Sequence, residues 1–504
     1  MVTEIKVPPF DEYNEVLVKN AHPPDWQNPM PNGRYNLLVI GGGSAGLVAA
    51  VGARGLGAKV ALVEKHLLGG DCLNAGCVPS KTVLRSAKAV GDIRRAAELG
   101  VHVGDAVTVD FPAVMQRMRQ IRSEISYHDA ATRFRDLGID LYLGDGQFTG
   151  KNSFAVDGRI IQFSKAVIAT GSRAAAIPIP GLAETGYITN EGVFELTKLP
   201  RRLAIIGAGP IGAEMAQAFA RFGSQVSVFD LAPTIGGLRD PEGIALVRTA
   251  LEADGVQFFL ESKTGKIEKV GDEKIIHFEY DGDAHTLAFD EILLAAGRQP
   301  NVAGLGLEAA QIKYSKKGLD VNDRLQTTNP DVFGAGDVAI PAMFTHTADA
   351  TARMVLQNAF FFGRKKYSDL IIPWTVYTDP EIAHVGLFDY EAEAQGMVVD
   401  TFSHKIQETD RGRADGDDGF VKIYVKKGSD KILGATIVSR HAGEMISEIT
   451  TAMMAGQGLS LLSQTIHPYP TQAEAIKKTA DSWNRTRLTP FVANLFEKWL
   501  AWRR

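Results

Sequence analysis

Cysteine is nearly missing, with two in 504 residues. Two thiols exclude a disulfide scaffold, a four-thiolate zinc site and a cysteine-ligated iron–sulfur cluster. Neither charge sign dominates, since 54 Lys and Arg against 59 Asp and Glu give a net charge of -5. Without a basic surplus the chain does not read as a nucleic-acid binder. No uncharged apolar run approaches the roughly eighteen residues of a spanning helix, and the start, MVTEIKVPPFDEYNEV, lacks the basic and apolar regions of a secretory signal. The chain therefore reads as soluble and cytoplasmic. What it has in excess is glycine: 51 residues, about 10% against the ~7% of average proteins, with no collagen-like period. The length allows about three domains.

The glycines are not scattered. Tyr35 to Ile40 (YNLLVI) is a predicted strand that runs into Gly41-Gly42-Gly43-Ser44-Ala45-Gly46. A small-residue helix and the strand AKVALVE follow, closing on Glu64 and Lys65. The pattern recurs from Arg202 to Ile206 (RLAII), through Gly207-Ala208-Gly209-Pro210-Ile211-Gly212, to the strand QVSVFD closing on Asp230. Gly41, Gly43, Gly46 and Glu64 all reappear 166 positions later, as Gly207, Gly209, Gly212 and Asp230. One such turn is weak evidence, but two in matched strand–turn–helix–strand–acid context predict two dinucleotide-binding units. The first glycine permits the tight turn, the second lets backbone approach a pyrophosphate, and the third brings helix and sheet together. The terminal acid suits a ribose with a free 2′-hydroxyl and repels a 2′-phosphate, so Asp230 predicts NADH over NADPH.

Further strands end at Thr170-Gly171-Ser172, at Gly297-Arg298, and in the turn from Asp331 to Gly336-Asp337. From about Asp369 the texture changes to an α+β pattern. Residues 1–34 are proline-rich and read as an irregular surface arm. Between the nucleotide units lies Gly69-Gly70-Asp71-Cys72-Leu73-Asn74-Ala75-Gly76-Cys77-Val78-Pro79-Ser80-Lys81. The spacing puts the two sulfurs about one helical turn apart, close enough to pair if the local backbone permits.

These motifs in this order resemble the pyridine nucleotide-disulfide oxidoreductases, the class of dihydrolipoamide dehydrogenase, glutathione reductase and mercuric reductase. The resemblance implies an α/β fold with two Rossmann-like domains and a C-terminal α+β dimerisation domain. The expected boundaries are an arm over 1–34, an FAD domain over 35–173 and 299–368, and an NAD(P) domain over 174–298. A dimerisation domain over 369–480 and an amphipathic tail over 481–504 complete the layout. FAD is implied on the first unit and NADH, with NADPH as the alternative donor, on the second. By the same resemblance Cys77 is the thiol beside the flavin and Cys72 the interchange thiol that meets the substrate. Lys81 lies near the flavin with Glu214 as its ion-pair partner, Asp337 holds the ribityl chain, and Glu64 holds the adenosine ribose. Thr345 and His346 join the cofactor contacts, as do Ser44, Ala45, Lys65, Gly70, Asp71 and the glycine-turn residues named above.

Disulfide-reducing members carry a histidine directly before Pro-Thr and a glutamate shortly after, supplied to the partner subunit's site. Here the stretch reads Ile466-His467-Pro468-Tyr469-Pro470-Thr471-Gln472-Ala473-Glu474, with tyrosine at the matching position. Tyrosine ordinarily titrates near ~10 and is a poor base at neutral pH; His467 stands two residues earlier as a substitute. Tyrosine at this place resembles the mercuric reductases, whose C-terminal cysteine pair this sequence does not have. The expected reaction is reduction of a small thiol-reactive or metal-ion acceptor by a homodimer without a resident metal. The alternatives are small-disulfide reduction and an FAD-binding redox sensor with little turnover. In the tail, Thr489-Pro490 predicts a helix start, and three of the five tryptophans follow residue 480. That helix is expected to pack on its own domain or dimer partner, with a peripheral membrane contact as the alternative.

Overall fold

The structure is a computed structural model that describes residues 5–104, 107–235 and 239–504. It has two compact units, Met1–Leu231 with Gln257–Leu370, and Ala232–Val256 with Ile371–Arg504.

In the first unit the strand Arg34–Ile40 is buried continuously from Leu37 onward. Such an uninterrupted apolar run is what a parallel strand covered on both faces requires. It pairs in parallel with Val60–Glu64 (Val39 opposite Leu62) and with Arg159–Ile168 (Val39 opposite Val167). The sheet extends to Asp140–Leu143 on one side and through the antiparallel strands Ser153–Val156 and Gly146–Gly150 on the other, with Val332–Gly334 alongside 159–168. A second parallel set, Glu291–Leu294, Arg202–Ile206 and Gln225–Phe229, repeats the plan. Its core is aromatic: Phe229 meets the rings of Phe259, Phe278 and Phe289 at 5.1, 4.9 and 5.9 Å.

The amino-terminal arm differs from its expected irregularity. Glu12–Ala21 is a helix, capped by the Asp11 side chain, with Asn14, Leu17 and Ala21 all buried. Those three positions lie three, four and seven residues apart, one helical face, but the polar Asn14 and the flanking prolines conceal the pattern in sequence.

In the second unit five antiparallel strands lie in the order Trp374–Val376, Glu381–Gly386, Ile432–Ser439, Phe420–Lys426, Val399–Lys405. The central strand 432–439 is buried along its whole length. The helices Ala442–Met454, Leu459–Gln464 and Glu474–Thr486 supply Ile446, Ile449, Leu462 and Ile476 to its core. The tail forms the expected helix, Pro490–Trp502, with Thr489 as N-cap accepting from the Val492 amide at 3.3 Å. None of its residues is buried within the chain. Among the described residues no helix is long and apolar enough to cross a membrane.

Candidate active site

The 166-residue repeat persists in three dimensions. Gly41 and Gly207 have φ of 106° and 110°, in the left-handed region that glycine tolerates. A Cβ on Gly46 would stand 1.8 Å from the Gly41 carbonyl oxygen, and one on Gly212 would stand 2.0 Å from that of Gly207. The acids repeat as well. Glu64 Oε2 accepts the Gly42 amide at 2.5 Å, and Asp230 Oδ2 accepts the Ala208 amide at 2.6 Å. The middle glycines are different, because a Cβ on Gly209 would meet nothing within 4 Å and one on Gly43 only the Gly70 Cα at 3.6 Å. Two glycines in each turn are locked by backbone, while the third faces open space at the start of the helices Ser44–Gly55 and Pro210–Phe222. That opening, beside free amides and a positive helix end, fits a dinucleotide pyrophosphate at each turn.

Gly70 begins the short helix Gly70–Asn74 that carries Cys72, and the helix Cys77–Arg95 begins on the other cysteine. Both thiols are free. Cys77 is pulled down to about 6, chiefly by a hydrogen bond from Cys72, with help from Thr345 and the Lys81 cation and against the cost of burial. The Thr345 hydroxyl lies 3.3 Å from Cys77 Sγ. A position at the first turn of a 19-residue helix acts in the same direction. Cys72, the donor to that thiolate, is pushed up. The pair is thus polarised, with Cys77 the readier thiolate and Cys72 its donor.

One turn further along that helix, Lys81 Nζ donates to Glu214 Oε2 at 2.8 Å, and the Glu214 side chain is 6% exposed. Glu214 sits on the helix of the second glycine turn, so this pair joins the thiol helix to the nucleotide helix. Arg298 gathers the remaining predicted residues. Its guanidinium donates to the Ser172 hydroxyl at 2.7 Å and pairs with Asp71 at 3.2 Å. Ser172 in turn donates to Asp337 at 2.6 Å. Burial pushes the Asp71 carboxyl up, against the pull of Arg298. His346 follows Thr345 at the start of the helix Thr345–Phe360 and stacks on Phe344 at 5.2 Å.

In the second unit, the Tyr469 hydroxyl donates to Asp410 Oδ2 at 2.6 Å, a bond that raises the tyrosine further above its ordinary value. His467 has one ring nitrogen 3.2 Å from the Thr465 carbonyl and the other 3.0 Å from Glu448. Both nitrogens therefore face acceptors. Glu474 pairs with Lys478 at 3.4 Å.

Several site residues carry no local sequence signal. Asn190, 7% exposed, donates to Asp71 at 2.9 Å and to the Ala75 carbonyl at 3.1 Å. Asn301 exchanges hydrogen bonds with Thr170, 2.7 Å from its hydroxyl and 2.9 Å to its carbonyl. Arg122 donates to the Asn74 carbonyl at 2.7 Å, between the two cysteines.

Two dinucleotide turns and a thiolate–thiol pair beside the first of them define a dithiol oxidoreductase driven by a flavin and a nicotinamide nucleotide. Residues 35–360 match the family model of the pyridine nucleotide-disulphide oxidoreductases, and residues 372–480 match the dimerisation domain of that family. The chain belongs to this family. It is 32% identical over 456 residues to a mercuric reductase of Staphylococcus aureus, covering 90% of this chain and 83% of the relative. It is 31% identical over 463 residues to the dihydrolipoyl dehydrogenase of Bacillus subtilis, covering 88% and 97%. Among solved structures it is similar to the HOCl-induced flavoprotein disulfide reductase RclA from Escherichia coli, at 28% identity and a TM-score of 0.79 over 89% of this chain and 99% of that one. A Cu(II) complex of RclA matches with the same figures. The enzyme is accordingly an FAD-dependent NAD(P)H oxidoreductase, and its dimerisation domain supports a homodimer. FAD, held at the first glycine turn, would supply the two-electron chemistry that links NAD(P)H to the acceptor.

Proposed function

We propose that this enzyme reduces a thiophilic metal ion, with Cu(II) as the foremost acceptor, through Cys72 and Cys77. Tyr469 carries the reading. A small disulfide releases a thiolate that needs a proton, yet the residue at the family's proton-handling position is a tyrosine whose hydroxyl is committed to Asp410. At neutral pH such a group is a poor acid and a poor base. A metal ion makes no such demand. The Cys72 thiol and the Cys77 thiolate reduce two Cu(II) to two Cu(I), the sulfurs join as a disulfide, and one proton leaves to solvent. Thiolates are the soft ligands that favour Cu(I), and the Cu(II) complex of the similar RclA supports the choice.

In this reading Lys81 and Glu214 hold a fixed cation beside the flavin and the thiolate, and Tyr469 and Glu474 complete the partner subunit's site. NADH is the donor. Asp230 closes the second turn, and the next basic residue along the chain, Arg239, has its guanidinium on Glu391 at 2.7 Å. The cytoplasm is the compartment that supplies it.

The test is an anaerobic one. Enzyme reduced with one equivalent of NADH is offered Cu(II), Hg(II), lipoamide, glutathione disulfide or a quinone. Cu(II) is expected to reoxidise it at least about a hundred-fold faster than either disulfide, the lower end of what a missing proton-transfer group costs, and NADH is expected to exceed NADPH in kcat/KM. Fastest turnover with lipoamide or glutathione disulfide would establish the disulfide-reductase reading. A quinone-only response that survives Cys72→Ser would show that the thiols are not the outlet, and no bleaching by either nucleotide would leave a sensor.

The tail helix takes the membrane alternative. Phe491, Leu495, Phe496, Trp499, Leu500 and Trp502 are all at least 49% exposed, and Arg503 and Arg504 end the helix. Aromatic anchors with terminal basic residues suit an anionic interface. Wild type is expected to float with anionic liposomes while a chain ending at Arg487 stays in the pellet fraction; equal flotation refutes the contact.

A further inference from the structure

The amino-terminal arm lies outside the matched family region, which begins at residue 35, yet it reaches the redox turn. The connection runs through Arg122, on the helix Phe111–Ser126. Arg122 is 3% exposed, and its two terminal nitrogens each make a 2.7 Å bond, one to the Asn74 carbonyl and one to Asn14 Oδ1. Asn74 ends the helix that carries Cys72, so its carbonyl has no intrahelical partner and Arg122 supplies one. Asn74 also donates to the carbonyls of Leu68 and Gly70 at 3.1 and 2.8 Å, which closes the turn that leads into the cysteines.

Asn14 is fixed as firmly. It is 2% exposed and its amide nitrogen lies 2.9 Å from the Pro9 carbonyl. Asp11 accepts the Asn14 backbone amide at 2.9 Å and pairs with Arg119. The far end of the arm helix holds the other side of the same turn: the Leu68 amide donates to the Ala21 carbonyl at 3.1 Å, and the His22 ring meets the His66 carbonyl. The arm therefore grips the chain before Cys72 and, through Arg122, between Cys72 and Cys77.

We propose that Arg122 is a positioning residue for the Cys72–Cys77 pair and that Asn14 of the arm holds Arg122 in place. The arm is then a clamp on the redox turn as well as a covering for the FAD domain. A buried arginine suits the task, because its planar fork serves two acceptors at once. Without that clamp the 70–77 turn loses the arrangement in which Cys72 donates to Cys77. The proposal rests on Cys72 and Cys77 being the redox couple, and its test separates the two ideas.

Full-length holoenzyme is prepared as wild type, Arg122→Gln, Arg122→Lys, Asn14→Ala and Asn20→Ala. Asn20 donates to Ser126 at 2.9 Å from the same arm helix but touches nothing at the cysteines, so it reports arm stability alone. Three readouts are taken: the pH dependence of Cys77 alkylation in the reduced protein, NADH-driven reduction of ferricyanide as a flavin outlet that bypasses the thiols, and thiol-dependent Cu(II) reduction. In Arg122→Gln and Asn14→Ala the alkylation midpoint is expected to rise and Cu(II) reduction to fall about ten-fold or more, in line with the cost of small misplacements at a reacting group. Ferricyanide reduction is expected to stay within about two-fold, Arg122→Lys to recover part of the loss, and Asn20→Ala to match wild type in all three. Wild-type midpoints in Arg122→Gln and Asn14→Ala, with a lowered Tm as their only change, would overturn the clamp. A wild type whose Cu(II) reduction ignores the cysteines would instead overturn the redox-pair reading.

Discussion

Cys72→Ala is expected to lower NADH-dependent metal-ion reduction by about ten-thousand-fold or more, the scale on which loss of one member of a catalytic unit acts, while NADH-driven ferricyanide reduction survives. The same substitution is expected to move the Cys77 titration upward. Its midpoint near about 6 depends first on the hydrogen bond from Cys72, with burial opposing it and Thr345 and Lys81 assisting. Removing the sulfur donor leaves burial set against the latter two, so the midpoint should climb toward the ordinary thiol range. The sign follows from the depressed value: the thiolate predominates above the midpoint, and raising the midpoint removes thiolate at neutral pH. Alkylation by iodoacetamide across pH 4 to 9 measures it. An unmoved midpoint would mean that Cys72 is not the donor.

The second large effect comes from contrasting two glycines three residues apart. Gly46→Ala places a methyl 1.8 Å from the Gly41 carbonyl oxygen, where backbone has to move. Overpacking of this kind costs about 3 kcal/mol or more, so the variant is expected to melt several degrees lower and to lose FAD along with its fold. Gly43→Ala meets only the Gly70 Cα, at an ordinary 3.6 Å, and Gly43 has φ of -84°, which alanine adopts freely. The apo-protein should melt like wild type. Its new methyl enters the opening assigned to the pyrophosphate, so FAD affinity is expected to fall about a hundred-fold, equivalent to about 3 kcal/mol. Calorimetry of the apo-protein and fluorescence titration with FAD separate the two. A Gly43→Ala protein that binds FAD like wild type would place the pyrophosphate elsewhere.

The contrast also shows what sequence reveals and what it hides. The glycine turns were legible because their chemistry is local: a left-handed φ, a close helix and an acid at the end of the next strand fall within one strand–helix–strand unit. The cysteine turn was legible for the same reason. The helix 12–21 was not, since its buried face includes Asn14, a polar residue whose burial makes sense only once Arg122 is placed 108 residues away. Asn190 serves Asp71 across 119 residues, and Thr345 reaches Cys77 across 268. The family resemblance marked Thr345 as a cofactor contact without suggesting that its hydroxyl faces a sulfur. Tyr469 was visible as a departure in sequence, but its bond to Asp410 required the fold.

The paired bonds from Gly42 to Glu64 and from Ala208 to Asp230 have an evolutionary consequence. Each acid fastens its glycine turn before any nucleotide arrives, so it answers to two selections at once. Exchanging Asp230 for arginine to welcome a 2′-phosphate also strips the Ala208 amide, at a wholly buried residue, of its acceptor, a loss of about 1–3 kcal/mol. Any exchange of this acid therefore has to absorb that loss or find the amide another acceptor. The acid that closes the strand is tied to the architecture of its turn as well as to the coenzyme.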